Sequence, residues 1–419
     1  MHGLTSFLLF YLPLGAVGIW RWGTWLTKKI ISWFYHPATG EFQATVSIVT
    51  PVYLEKREVL EFALDSWKAN NPIEIIAVID AADASSIEVF QQFSHRFAGA
   101  KLIVTEKPGK RQALADGIRA ASGDIVALVD SDTAWAYSVL KYALPPFAEA
   151  AVGGVGTRQN VLNPKTLAQN IFDIQLDLRF SDDIKPMEVI GRALTCLSGR
   201  TAFYRRTVLM PFLDDLVNET FWGKQCIGGD DKRLTYLMEA AGWKAGYQHN
   251  ARVYTHGATD MATFFQQKTR WSRNSFRADL RAMWQGWIWK HPFLAFELLD
   301  HVISNFTLLL GLVYFVLSLA FHLWIPAGIL LGWWLFSRTL RILPNLARRP
   351  GNIKLVPVYI VENFAMAITH LYALLTMNRQ GWLTRGAKKK PLNLALILAW
   401  IGTMAIVAIL VVFVYHRRF

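Results

Sequence analysis

The segment DIVALVDSD, residues 124–132, joins five consecutive aliphatic residues to a pair of aspartates two positions apart. A short aliphatic run of this kind, without polar alternation, predicts a strand that is buried on both faces, as in a parallel sheet. Asp130 and Asp132 lie at the end of this predicted strand. Because ligands of parallel α/β sheets bind beyond the carboxyl ends of the strands, both side chains are candidates for a binding site.

Similar short apolar runs occur along the chain before this segment, separated by amphipathic stretches. Short β-branched runs alternate with amphipathic stretches, which predicts strands at residues 44–50, 74–80, 101–105 and 124–130 and helices at residues 55–70, 85–97 and 109–121. Strand–helix alternation indicates an α/β fold with a parallel sheet. Tyr53 and Asp80 follow two of the other predicted strands, so we expect them at the same edge as Asp130.

The composition indicates that part of the chain lies in a membrane. Hydrophobic residues make up 53% of the 419 residues, charged residues make up 18%, and the mean hydropathy is +0.24. The net charge of +13 is compatible with nucleic acid, a phosphorylated ligand or an anionic membrane surface. The basic residues of the chain cluster beside apolar stretches. This arrangement is typical of the cytoplasmic flanks of membrane segments and argues against nucleic-acid binding. Two cysteines exclude a disulfide framework.

Apolar stretches predict the membrane segments. Residues 4–20 are expected to form an uncleaved anchor, followed by a basic, Trp-rich interfacial helix. Residues 298–321, 323–343 and 392–415 are long enough to span, whereas residues 356–377 carry Glu362, Asn363 and His370 and predict an interfacial or re-entrant helix. The expected division is an N-terminal anchor and interfacial helix (1–41), a cytoplasmic catalytic domain (42–260), an amphipathic helix (261–291) and a C-terminal membrane region with a loop near 380–386 (292–419).

Two carboxylates at a strand end can share a divalent cation with a diphosphate. Oxygen ligands suit Mg²⁺ or Mn²⁺, so Asp130 and Asp132 are candidate metal ligands, with a plain surface turn as the alternative. Tyr53 and Asp80 could hold a pyrimidine base by stacking and hydrogen bonding.

Basic residues at a predicted helix start are a candidate phosphate site. Lys107, Lys110 and Arg111 lie there, and a solvated basic turn is the alternative interpretation. The sequence has neither a P-loop nor a G-x-G-x-x-G motif, which argues against kinase and dehydrogenase functions.

Two later motifs complete the candidate site. Asp230 and Asp231 precede a helical run, where a carboxylate could act as general base or simply cap the helix. Gln267, Arg270 and Trp271 share one face of the next predicted helix and could bind a diphosphate and stack a sugar. Three arginines follow on the same helix at a spacing of four: Arg273, Arg277 and Arg281. They could form a basic stripe that binds lipid headgroups or simply the polar face of an interfacial helix.

Taken together, these elements resemble the family-2 glycosyltransferases, specifically the processive branch that includes hyaluronan, chitin and cellulose synthases. The branch pattern is a base-binding aspartate, D-x-D, a second acidic motif and Q-x-x-R-W. Here it stands in the same order as Asp80, Asp130-Ser131-Asp132, Gly229-Asp230-Asp231 and Gln267 to Trp271.

Finer matches point toward hyaluronan synthases. The flanks of the second acidic motif resemble theirs at residues 226–235, and residues 194–199 resemble their acceptor-lining segment, although Arg200 replaces an expected proline. Residues 371–376 and 382–386 resemble their W-x-T-R gating loop. Residues 50–55, TPVYLE, depart from the P-x-Y-N-E form of those synthases.

The resemblance implies a role for each matching residue. It implies a GT-A-type catalytic domain inserted between transmembrane and interfacial helices, with Asp231 as general base and Asp230 as the alternative. The implied acceptor site consists of Cys196, Ser198 and Trp271, and Asp130 and Asp132 are the implied ligands of Mn²⁺ or Mg²⁺. The implied donor site consists of Pro51, Tyr53, Glu55, Asp80, Lys107, Lys110, Arg111, Asp130, Gln267, Arg270, Trp382, Thr384 and Arg385.

The expected activity is inverting, processive transfer from a UDP-sugar to a growing polysaccharide, which is exported across the membrane. The expected partners are the UDP-sugar, the polysaccharide or a lipid-linked acceptor, and the lipid bilayer. The expected location is the plasma membrane, with the catalytic domain in the cytoplasm. The alternatives are a non-processive transferase acting on a lipid acceptor, and a non-enzymatic export subunit that senses nucleotide.

Overall fold

A computed structural model describes residues 16–381 of the chain, apart from Pro108. Its strands, numbered β1 to β10 in chain order, are Val46–Val52, Glu74–Asp80, Ala100–Thr105, Ile125–Val129, Thr133–Trp135, Val152–Val161, Thr201–Arg205, Thr220–Phe221, Lys224–Gln225 and Lys244–Thr255. Strands β8 and β9 form a separate hairpin, and the other eight form one sheet.

The helices pack around this sheet and continue beyond it. Numbered α1 to α15 in chain order, they are Ala16–Trp33, Arg57–Lys68, Ala84–Ser94, Lys110–Ala120, Val139–Ala143, Leu167–Leu178, Lys185–Ile190, Arg206–Leu209, Leu213–Val217, Asp230–Ala240, Met261–Gln285, Pro292–Ala320, Trp324–Arg341, Leu343–Leu346 and Val356–Leu375. A π-helical turn, Arg179–Ile184, follows α6, and short 3₁₀ turns occupy Pro145–Ala148, Met210–Phe212, Trp287–Lys290 and Pro350–Leu355.

The sheet confirms the predicted α/β class. Its strand order is β3-β2-β1-β4-β7-β6-β10-β5. The pairs β3–β2, β2–β1, β1–β4 and β6–β10 are parallel, and β7 and β5 are the antiparallel members. All four predicted strands are present within about two residues of their expected bounds, and each of the three predicted helices is present.

Both faces of the parallel half are covered, which explains its unbroken aliphatic runs. On one face, Val78 and Val126 belong to a core cluster that includes Ile118 of α4. On the other face, Ile75 and Ile79 pack in a second cluster with residues of α2 and α3. Because successive side chains of a strand point to opposite faces, each strand must be apolar at every position to fill both clusters.

The chain reverses its direction across the sheet at β1. From β1 it continues to β2 and β3 on one side, and β4 lies on the other side of β1. The carboxyl ends of β1 and β4 therefore border a crevice at a topological switch point, where open α/β sheets bind ligands. This crevice receives the residues that follow β1, β2 and β4.

Two described helical segments are long and apolar enough to cross a membrane, by length and composition: Pro292–Ala320 and Pro350–Leu375. The first contains most of the span predicted at residues 298–321. The span predicted at residues 323–343 is not among the two, because α13 is not apolar enough: its 18 residues include Arg338 and Arg341 near the end. Of residues 356–377, expected to be interfacial or re-entrant, Val356–Leu375 form the continuous helix α15. Of the anchor predicted at residues 4–20, residues 16–20 belong to α1; residues 4–15 and the span predicted at 392–415 lie outside the described residues.

The basic residues of α1 are held by carboxylates of the protein. Lys28 Nζ lies 2.8 Å from both Asp183 and Glu297, and Arg21 pairs with Asp300 at 3.4 Å. These contacts join α1 to the π-helical turn and to α12. Basic residues that were predicted to face the membrane surface therefore hold α1 against the rest of the protein.

The arginine stripe of α11, for which lipid headgroups were one of two alternatives, also contacts protein. Arg273 Nε donates to Thr376 Oγ1 at 3.0 Å, and Arg277 donates to the carbonyl of Met377 at 2.6 Å. Arg281 pairs with Glu219. The stripe thus connects α11 with the segment after α15 and with the turn before the β8–β9 hairpin.

Candidate functional site

A cavity of about 1920 Å³ opens at the switch point and continues toward the C-terminal helices. Fifteen of the residues expected at the site line it: Pro51, Tyr53, Glu55, Asp80, Lys107, Lys110, Asp130, Asp132, Cys196, Ser198, Asp230, Asp231, Gln267, Arg270 and Trp271. The first and the last of these residues are more than 200 positions apart in the chain. The structure therefore gathers the separate sequence motifs around one space.

An ammonium group joins the two acidic motifs. Lys110, the first residue of α4, lies 2.7 Å from Asp130 Oδ1 and 3.1 Å from Asp230 Oδ2. Burial alone would lower the pKa of Lys110, but the charges of Asp130 and Asp230 raise it above its usual value. Lys110 is therefore a permanent cation that holds the end of β4 next to the start of α10.

The carboxylates around Lys110 differ in their electrostatic balance. Burial and the nearby charge of Asp132 raise the pKa of Asp130 even though Lys110 opposes this. Burial acts in the same direction on Asp230, yet the positive charges of Lys110 and Arg111 outweigh it and lower the pKa of Asp230. Asp130 and Asp132 thus repel each other at the end of β4.

The carboxylates at the end of β4 fit a divalent cation that also binds a diphosphate. Asp130 and Asp132 provide carboxylate oxygens, the ligand type that Mg²⁺ and Mn²⁺ prefer. No group of three or more His, Cys, Asp or Glu side chains in residues 16–381 is arranged to hold a metal. Two protein carboxylates supplemented by phosphate oxygens and water form the usual Mg²⁺ environment at nucleotide sites. The mutual repulsion of Asp130 and Asp132, which a bound cation would relieve, supports the same fit.

Asp231 faces the cavity in a different environment from that of Asp230. Its Oδ2 accepts a hydrogen bond from the backbone N–H of Gly199 at 3.1 Å, and the thiol of Cys196 also hydrogen-bonds to it. Burial raises the pKa of Cys196 well above its usual value, so this thiol stays protonated and acts as a donor. Asp231 makes no ion pair within 4 Å to any described residue, whereas Asp230 pairs with Lys110.

The ends of β1 and β2 form the opposite wall. Tyr53 is 41% exposed, and Glu55 accepts a hydrogen bond from Ser131 Oγ at 2.8 Å, which ties this loop to the D-x-D turn. The loop turns sharply at Leu54, whose φ is 47° and whose N–H donates to Asp83 at 2.5 Å. Asp80 accepts from the N–H of Ala82. The aromatic ring and the carboxylate that we expect to hold a base therefore border the same crevice.

Arg111 does not line the cavity, which corrects its expected placement beside the donor. Its guanidinium is buried, donates to the carbonyls of Leu216 and Gly228 at 2.8 Å and pairs with Glu219 at 2.5 Å. Lys110 points into the site, and Arg111, the next residue on the helix, points away from it. Arg111 fixes the turn that leads into Asp230.

Helix α11 presents its motif to the other end of the site. Gln267, Arg270 and Trp271 all line the cavity, as their shared helical face predicts. Burial lowers the pKa of Arg270, and the carboxylates of Asp230 and Asp130 counteract this effect. Arg270 therefore lies within electrostatic reach of both acidic motifs.

Two further cations at this end were not among the predicted site residues. Arg200 lies 5.1 Å and Lys268 5.3 Å from the ring centroid of Trp271. Phe172 of α6 packs against Trp271 with ring centroids 5.9 Å apart. The departure of Arg200 from the expected proline marks this position in the sequence, but nothing in the local sequence around Phe172 relates it to Trp271. Trp382, Thr384 and Arg385 lie outside the described residues.

Comparison with known proteins agrees with this arrangement. The family described as "Glycosyltransferase like family 2" matches residues 44–274, which is more than half of the chain. A hyaluronan synthase of Streptococcus pyogenes is 26% identical over 375 residues, covering 86% of this chain and 88% of the relative. An N-acetylglucosaminyltransferase of Rhizobium meliloti is 27% identical over 384 residues, covering 83% of this chain and 85% of the relative.

A solved structure shares the fold. The mannosyltransferase of Pyrobaculum calidifontis, determined in complex with GDP-Man and Mn²⁺, superposes with a TM-score of 0.62 at 18% identity. The match covers 87% of this chain and 98% of that protein, which establishes the fold as GT-A-like. Since the family match spans β1 to the Q-x-x-R-W motif, the chain belongs to glycosyltransferase family 2.

Proposed function

We propose that this family-2 glycosyltransferase transfers sugars from a UDP-sugar, with Mn²⁺ or Mg²⁺ bound, to the non-reducing end of a polysaccharide that it extends processively and exports. The observation that carries the proposal is the single cavity shared by the D-x-D turn, the second acidic motif and Q-x-x-R-W. A donor site, a base and an acceptor site are thereby adjacent, as direct sugar transfer requires.

The donor occupies the crevice at the ends of β1, β2 and β4 in this proposal. Tyr53 stacks on the uracil, Asp80 hydrogen-bonds to it, and Pro51 and Glu55 shape the wall. Lys107 and Lys110 neutralise phosphate charge, together with Gln267 and Arg270 from α11. A divalent cation held by Asp130 and Asp132 would stabilise the negative charge of the departing diphosphate. The relatives that are named for GlcNAc transfer and hyaluronan synthesis support a UDP-linked donor.

Asp231 acts as the general base. An acceptor hydroxyl must lose its proton as its oxygen forms a bond to the anomeric carbon and the bond to the diphosphate breaks. Asp230 is held by the Lys110 ammonium, which weakens it as a proton acceptor. The side chain of Asp231 accepts hydrogen bonds from the N–H of Gly199 and from the thiol of Cys196. Among the described residues outside its own helix these are its hydrogen-bond donors, and both are uncharged. This difference supports Asp231 as the base.

The growing chain leaves past Trp271. Beyond this residue the cavity continues between α12, α13 and α15, where Leu308, Trp334 and Met366 contribute to its lining. A product extended at the non-reducing end would move into this space one sugar at a time, with Cys196, Ser198 and Trp271 around its terminal residue. Membrane insertion of α12 and of segment Pro350–Leu375 would make the space a route across the bilayer. The domain division given above and a cytoplasmic catalytic domain at the plasma membrane complete this proposal.

The deciding experiment is incubation of the purified protein with radiolabelled UDP-sugars, singly and in pairs, with Mn²⁺ present. The proposal predicts a labelled polymer of many sugar units that resists extraction with organic solvent. A single-sugar product that partitions with lipid would favour the non-processive alternative. The absence of donor turnover with every donor would contradict a UDP-sugar transferase.

A further inference from the structure

Arg200 and Lys268 bring two positive charges onto the same pair of aromatic rings. The Arg200 guanidinium lies 5.0 Å from the ring centroid of Phe172 and 5.1 Å from that of Trp271. The Lys268 ammonium lies 4.7 Å and 5.3 Å from the same two centroids. All four residues line the cavity. We define this group as the cationic shelf.

The described residues leave the charges of the cationic shelf without a close counter-ion. Neither Arg200 nor Lys268 has a carboxylate within 4 Å in residues 16–381, although the charges of Asp130, Asp132 and Asp231 act on Arg200 from farther away. Arg200 donates to the amide oxygen of the buried Gln159 at 3.0 Å, which fixes its position but contributes no negative charge. Glu362 of α15, which faces Lys268 from farther away, accepts a hydrogen bond from Gln175 at 2.6 Å.

The aromatic part of the shelf suits the apolar face of a sugar ring, while its cations suit an anion. A guanidinium has five N–H donors, and Gln159 takes one of those of Arg200, so a carboxylate could bind to the remaining donors. The shelf lies on the acceptor side, because Arg200 directly follows Gly199, whose N–H binds Asp231. The donor end, with Tyr53 and Asp80, is the opposite wall of the cavity.

We propose that the cationic shelf is an anion-binding subsite that selects an acceptor saccharide bearing a carboxylate close to the sugar that is extended. This inference rests on the proposed function, because it specifies the acceptor of the same site. A sugar acid satisfies both parts of the shelf at once, the rings through its C–H face and Arg200 through its carboxylate. Arg200, at a position where the resembled synthases are expected to have proline, is the residue that sets this selectivity.

The test uses the full-length protein in detergent with UDP and Mn²⁺ present, at a pH below the value of about 7 at which Lys268 loses its charge. Isothermal titration compares an oligosaccharide ending in a hexuronate with the same oligosaccharide after its carboxyl groups have been reduced to hydroxymethyl groups. We expect the acidic probe to bind roughly 10- to 100-fold more tightly, the range for a hydrogen bond to a charged group. Arg200→Met should remove most of this difference, Lys268→Met part of it, and Arg200→Lys should retain an intermediate preference.

Controls separate this inference from the proposed function and from misfolding. Lys165→Met changes an exposed lysine outside the cavity and should behave as the unaltered protein. UDP affinity should be equal in all variants, which also reports on folding.

Equal binding of both probes by the unaltered protein would overturn the subsite, as would a loss of UDP affinity in Arg200→Met. Arg200-dependent binding of a polyprenyl phosphate, without binding of the acidic saccharide, would assign the shelf to a lipid acceptor instead. Failure of the proposed function would appear separately, as absent UDP binding or donor turnover.

Discussion

The backbone N–H of Gly199 donates a hydrogen bond to Oδ2 of Asp231 across 3.1 Å. This contact orients the carboxylate without neutralising it, because its donor is uncharged. The neighbouring aspartate, Asp230, is instead paired with the ammonium of Lys110 at 3.1 Å. Two adjacent acids of one motif thus have different chemical environments, which allows their roles to be separated experimentally.

The first prediction concerns Asp231. Asp231→Asn should retain UDP binding while sugar transfer falls by roughly 10²–10⁴-fold, the typical contribution of a general base. Measuring UDP affinity and transfer rate on the same preparation checks this. Normal transfer in Asp231→Asn, together with an inactive Asp230→Asn variant, would move the catalytic role to Asp230.

The second prediction concerns the metal. Transfer should require Mn²⁺ or Mg²⁺, and Asp132→Ala should lose both metal-dependent UDP binding and activity, because it removes half of the carboxylate pair. Titrating UDP with and without EDTA tests this requirement directly. Full activity in excess EDTA would show that the charge of the diphosphate is balanced by Lys107, Lys110 and Arg270 alone.

The third prediction concerns Lys110, which balances Asp130 and Asp230. Lys110→Met leaves the buried Asp230 and the partly exposed Asp130 without their cation, so we expect the free energy of unfolding to fall by about 2 kcal/mol, less than for a fully buried pair. Thermal unfolding in EDTA should show a lowered Tm, and added Mn²⁺ should restore part of it. An unchanged Tm in EDTA would mean that the carboxylates are neutralised by other means.

The fourth prediction concerns the predicted gating loop at residues 380–386. Its first residue, Gln380, accepts a hydrogen bond at 3.5 Å from the N–H of Ile227, just before the second acidic motif, and Arg277 donates to the carbonyl of Met377. We expect Trp382→Ala to abolish most polymer synthesis while leaving expression and membrane insertion near normal. Near-normal synthesis by a correctly inserted variant would reduce Trp382 to a membrane anchor.

The fifth prediction concerns pH. Burial lowers the pKa of Lys268 to about 7, against the attraction of Glu362 and with added repulsion from Arg200 and Arg179. Lys268 is therefore cationic below this value and neutral above it. The preference for the acidic saccharide should weaken as the pH rises through about 7. Lys268→Arg, which stays charged, should remove this pH dependence, and a preference that is flat in both proteins would contradict the prediction.

The sequence alone determined the class of fold and the order of the motifs. Unbroken aliphatic runs such as residues 125–129 require burial on both faces, and such burial is available inside a covered parallel sheet. Asp80 and Asp130 could be assigned to one edge because the direction of a parallel strand determines where its carboxyl end lies. The helical face of Gln267, Arg270 and Trp271 followed from spacing in the same way.

Only the tertiary structure decided which charged side chains face the cavity. Arg111 and Lys110 are neighbours in one basic run, yet Arg111 bonds to Gly228, 117 positions away, and leaves the site. The spacing of the arginines on α11 allowed either lipid headgroups or a polar helix face, and the fold pairs them with protein groups. Arg200, Phe172 and Lys268 form the cationic shelf although they belong to separate segments. Sequence periodicity reports burial and local direction, whereas the partner of a charge depends on segments that meet only after folding.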